Sequence, residues 1–131
     1  MFQRAYCTAE SLGIAAKTHD AMFDAVWTNG ELAIADQRTN RLKDPMPTIG
    51  DAANWYAKHA GIKAEDFVAA SKSFDTDRKI REAEAFVREF KVSSTPTIVV
   101  NNKYITNASM AGSYDQLVAL IDWLVAKEKT K

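Results

Sequence analysis

Between Val92 and Thr106 the hydrophobic period of this chain switches, and that one switch limits the folds open to it. In VSSTPTIVVNNKYIT, Ile98 and Val100 fall on one side of an extended ribbon, with Thr97 and Val99 on the other. Asn101-Asn102 suits the positive-φ positions of a tight turn, and Lys103 to Thr106 forms the return strand. An isolated two-stranded ribbon is marginal in water and leaves backbone groups unpaired along its edges. Moreover, a strand with β-branched residues on both faces is usually covered on both. The sheet therefore reads as incomplete, as though other strands complete it.

The rest of the chain repeats at helical spacing, so the fold class is α+β and mainly helical. A first helix is expected over residues 2 to 12, with Phe2, Ala5, Tyr6, Ala9 and Leu12 on its apolar stripe and Gly13 ending it in a left-handed cap. A second runs from about Asp20 to Trp27, facing inward with Met22, Phe23, Val26 and Trp27. Residues 30 to 47 read as mostly connecting chain, held extended at PMP. Thr48 caps a helix reaching about His59, with Ile49, Ala52, Ala53, Tyr56 and Ala57 inward and Gly61 terminating it. A short helix over residues 64 to 72 contributes Phe67 and Val68. TDRKIREAEAFVREF, residues 76 to 90, is capped by Asp75 or Thr76 and lines Ile80, Ala83, Val87 and Phe90 on one face. A final helix follows the Ser113/Gln116 capping box and buries Leu117, Leu120, Ile121 and Leu124.

Composition removes several function classes. The 131 residues suit one core, and Lys plus Arg balances Asp plus Glu at 17 each, so no long-range field gathers nucleic acid or anionic lipid. There is no apolar run long enough to span a membrane, and MFQRAYCTAESLG lacks the basic, apolar and small-residue segments of a secretory signal. Cys7 is the sole cysteine, which rules out an internal disulfide, a cysteine-rich zinc site and a C-x-x-C pair within these residues. Its place on the first helix's stripe reads as a small core residue, since a reactive thiolate needs a nearby positive group or helix N-terminus.

Other chemistry is sparse, and no residue is expected to be catalytic, to bind a cofactor or to ligate a metal. His19 and His59 lack metal-ligand spacing, and Asp75 and Asp77 sit where carboxylates offset a helix dipole. Trp27, Trp55 and Trp123 read as core anchors, and Ser11, Ser73 and Ser113 as caps or turns.

The order of a long amphipathic helix, FKVSSTPTIVVNNKYI, a glycine and SYDQLVALIDWLVAKE resembles the C-terminal half of the DsbA-like thiol:disulfide oxidoreductases of the thioredoxin superfamily. Upstream, AYCTAESLGIAAKTHDAMFDAVW resembles the helical domain that this family inserts into the thioredoxin fold. The resemblance implies a helical insertion domain over residues 1–75, then a connecting helix and a thioredoxin-like strand-strand-helix over 76–131, an incomplete thioredoxin-like fold. It places on Pro96 a cis peptide bond beside the redox centre, although proline at a strand's first residue is ordinary without any function. It also implies that Ser94, Thr95 and Pro96 bind extended or unfolded peptide substrates. The family's C-x-x-C pair precedes the insertion and has no counterpart here, so Met1 is expected to be internal to a longer protein and the chain alone inactive.

By the same resemblance, the complete protein introduces disulfides into extracytoplasmic proteins, resides in the periplasm and is reoxidised by a membrane partner. The alternative is a non-catalytic peptide-binding or interaction module of the thioredoxin superfold; an isomerase or glutathione-transferase branch is a third possibility. The open ribbon edge adds the expectation of an edge-paired or domain-swapped homodimer.

Overall fold

A computed structural model of the chain describes residues 1–130. It divides into two compact units, Met1–Ala83 and Glu84 onward, the division falling within one helix. The first unit contains α1 (Phe2–Ser11), α2 (Ala15–Trp27), α3 (Ile49–Ala60), α4 (Ala64–Ser71) and most of α5 (Phe74–Glu89). The second contains the end of α5, β1 (Thr97–Val100), β2 (Tyr104–Asn107), α6 (Ala108–Ala111) and α7 (Tyr114–Lys129).

Small side chains hold the helical unit together. Ala5 and Ala9 of α1, Ala25 of α2, and Ala52 and Ala53 of α3 are all buried, and their methyl groups let the helices come close. Phe67 of α4 fills the centre and is fully buried, stacked on Tyr56 with ring centroids 4.6 Å apart and planes 18° apart. Buried hydroxyls of this unit bond to nearby backbone carbonyls rather than standing alone. Thr8 donates to Arg4 O, Thr18 to Ile14 O and Ser71 to Val68 O, each at 2.7 Å.

Helix ends follow the expected cap chemistry in most places. Gly13 and Gly61 have φ of 69° and 70°, the left-handed conformation that costs glycine least. Thr48 accepts from Asp51 N while the Asp51 carboxylate accepts from Thr48 N at 2.7 Å, a reciprocal box that ties down two otherwise unpaired donors.

The Asp51 carboxyl is held below its usual range, first by the Thr48 N–H and then by the Thr48 hydroxyl. A depressed folded value stabilises the fold above the ordinary carboxylate pKa of about 3.9 and is lost as pH falls through the lower folded value. The urea midpoint should therefore fall below about pH 4, with Asp51→Asn flattening that acid limb; an unchanged limb would remove Asp51 from the account.

Three helical details differ from the sequence reading. The second helix begins at Ala15, not near Asp20, because the Thr18 hydroxyl satisfies itself on Ile14 O and a polar residue can be buried in that first turn. On the same helix, Ala25 is the fully buried residue, whereas Phe23 and Trp27 are 56% and 64% exposed, and Trp123 of α7 is exposed as well. Trp55 is the only one of the three tryptophans buried as an anchor. Finally, α5 starts at Phe74, and Ser73 takes the capping role by accepting from Thr76 N, while Thr76 turns inward to Ala70 O at 2.9 Å. Ala83 and Val87 on its expected inner face are exposed.

In the second unit β1 and β2 pair antiparallel with Val100 opposite Tyr104 and Ile98 opposite Thr106. The return strand thus begins one residue later than the sequence suggests. Asn101 and Asn102 have φ of 50° and 53°, and Lys103 N donates back to Val100 O at 3.1 Å, closing the turn. Val100 and Thr106, on one face of the ribbon, are buried, as are Leu117 and Leu124 of α7. Ile105 points to the other face and is 36% exposed. Ser113 accepts from Gln116 N and starts α7 as expected, while Asn107 caps the additional short α6 by accepting from Met110 N at 2.9 Å.

Candidate functional site: the mouth of the hairpin

Ser94, Thr95 and Pro96 lie together in the exposed segment leading into β1. The Ser94 carbonyl accepts from the Thr97 hydroxyl at 2.6 Å, which anchors this segment to the first residue of the strand. The Thr95–Pro96 peptide bond is cis; a second cis bond, Asp44–Pro45, lies in the connecting chain of the helical unit. Among the described residues β1 pairs only with β2. In an antiparallel pair, alternate residues direct N–H and C=O away from the partner, so the far edge of β1 carries backbone groups open to another extended chain.

The turn at the opposite end of the ribbon is fastened by one carboxylate. Glu128 of α7 accepts from Asn101 Nδ2 at 2.6 Å, Lys103 Nζ at 2.7 Å and the Tyr104 hydroxyl at 3.3 Å. The ribbon is thereby held on α7 at its turn while its entry remains exposed.

Cys7 does not join this site. It is buried within α1 of the helical unit, and burial followed by the nearby Glu10 pushes its thiol pKa up. Both effects suppress the thiolate that nucleophilic chemistry requires. Alkylation by iodoacetamide at pH 8 should be at least about tenfold slower in the folded chain than in urea. Equal rates would show that Cys7 is accessible.

His19 and His59 make aromatic contacts rather than a shared site: His19 packs against Tyr6 and Phe23, and His59 stacks on Trp55 at 4.2 Å. No group of three or more His, Cys, Asp or Glu side chains among the described residues could hold a metal. No helix among them is long and apolar enough to cross a membrane. Sequence reasoning overlooked the outward row of rings on α2, because its spacing also fits an inward face.

A helical unit continues through a long helix into a strand, turn, strand and final helix, with a proline at the strand's mouth, a mainly helical α+β arrangement. The chain is 26% identical over 125 residues to the thiol:disulfide interchange protein DsbA of Azotobacter vinelandii, a match covering 95% of this chain and 52% of that protein. It is 27% identical over 124 residues to the protein of the same name from Pseudomonas syringae, covering 95% and 51%. Among solved structures, oxidoreductase DsbA from Xylella fastidiosa matches with a TM-score of 0.82 at 27% identity, covering 98% of this chain and 61% of that one. The chain spans about half the length of the curated relatives it matches. No family model matches the sequence. The chain is thus similar to DsbA proteins along nearly its whole length and has an α+β, thioredoxin-like fold.

Proposed function

We propose that this chain carries the peptide-docking part of a thiol:disulfide oxidoreductase that introduces disulfides into extracytoplasmic proteins. The observation that carries this reading is the open far edge of β1, entered through exposed Ser94, Thr95 and Pro96, in a chain similar along nearly its whole length to DsbA proteins. An extended substrate adds to that edge as a strand, its backbone supplying affinity and its side chains meeting Thr95 and Val99.

Oxidising a substrate dithiol requires an enzyme disulfide to receive the two electrons, and these 131 residues have one cysteine. The chain alone therefore docks peptide without turnover. In the complete reaction a membrane partner restores the enzyme disulfide, and the work is done in the periplasm. The same open edge supports pairing of two copies in the absence of substrate.

The test is titration of the isotopically labelled chain with a reduced, alkylated unfolded protein. Amide shifts should move from Ser94 through Val100, and oxidation of a dithiol peptide by glutathione disulfide should proceed at its uncatalysed rate. No movement at those amides would remove the docking role. Catalysis surviving Cys7→Ala would remove the account of why the chain alone is silent.

A second reading, a non-catalytic peptide-binding module, is favoured by one observation: Cys7 is buried with a raised pKa. It predicts the same shifts but no gain of turnover when a C-x-x-C-bearing thioredoxin-like segment is supplied, whereas the first reading predicts that gain.

A further inference from the structure

The outward face of α2 carries two parallel rows of side chains. His19, Phe23 and Trp27 are spaced by four residues and share one stripe, and Asp20 and Asp24 run along its flank. Tyr6 of α1 extends the ring row: its centroid lies 5.9 Å from His19, edge-on, and His19 lies 5.1 Å from Phe23. These rings are already ordered against one another, yet Tyr6, Phe23 and Trp27 are 45%, 56% and 64% exposed. Together they leave on the order of a few hundred Å² of aromatic surface in water, the scale of patch that marks an interaction site.

The charge beside the rings selects the partner. Among the described residues neither Asp20 nor Asp24 is in an ion pair; the Asp24 carboxylate accepts only from the Thr28 hydroxyl, at 3.1 Å, and Lys17 is directed to the Ala60 carbonyl. A row of rings next to a row of unpaired carboxylates favours apolar groups interleaved with cations, which meet ring faces and carboxylates together. An anionic membrane is repelled by the same two aspartates.

We propose that this face docks a basic amphipathic segment of another protein. Its apolar side chains rest on Phe23 and Trp27, and its lysines or arginines lie across Asp20 and Asp24. This inference does not depend on the oxidoreductase reading.

The probe is a peptide of about 18 residues, long enough to hold a helix, with leucine and lysine in amphipathic register; the control replaces lysine by glutamate. With the full labelled chain, the leucine–lysine peptide should shift the amides of residues 16 to 27 and the Trp27 indole, and the glutamate peptide should not. Affinity should drop at least about tenfold in Phe23→Ser/Trp27→Ser and again in Asp20→Lys/Asp24→Lys. Equal response to both peptides, or shifts centred elsewhere, would overturn the proposal. So would concentration-dependent broadening of these same signals without peptide, which would assign the face to a second copy. The wild-type shift map decides the matter even if a variant folds poorly.

Discussion

Phe67→Ala should cost the helical unit about 3–5 kcal/mol, the largest loss expected from any single truncation in that unit. Phe67 is fully buried, stacks on Tyr56, and belongs to the core cluster that also holds Ile14, Leu32 and Trp55. The cost thus combines the lost transfer energy of a ring with the cavity it leaves behind. Chemical denaturation read through the buried Trp55 would measure it. A loss below about 1 kcal/mol would mean that α3 and α4 collapse onto the gap, contrary to this packing.

Glu128→Ala should loosen the hairpin more than any other polar change in the second unit, by about 2 kcal/mol. Its carboxylate, on a side chain only 7% exposed, accepts from Asn101, Lys103 and Tyr104, and truncation strands all three donors. Lys103 is 53% exposed, so water recovers much of its share, and Lys103→Met should cost less than half as much. Glu128→Gln, which keeps an acceptor, should fall between them. Hydrogen exchange at the amides of β1 and β2 reports the effect directly, and protection unchanged in Glu128→Ala would dismiss the fastening role.

Much of the architecture was legible where a residue's chemistry allows few alternatives. Asn101 and Asn102 mark a turn because they tolerate positive φ, Gly13 and Gly61 end helices for the same reason, and Thr48 and Ser113 are recognisable caps. The substrate-docking assignment of Ser94, Thr95 and Pro96 came from resemblance, since their own chemistry distinguishes them little from any strand entry.

What escaped the sequence was which side of an apolar helix turns inward. On α2 the spacing of Phe23 and Trp27 suggests a core face, yet small Ala25 faces the core because alanines on α1 and α3 draw the helices close. Thr18 and Thr76 mislead for a related reason: each hides its hydroxyl on a backbone carbonyl and occupies an interior position that polarity alone would deny it.

The alanine-lined helix crossings also bear on how such a chain can change. Ala9, Ala25 and Ala52 are fully buried, so even one added carbon there must push packed neighbours aside. The interior of the helical unit accordingly tolerates little added volume, whereas exposed positions can take a larger side chain without displacing a neighbour.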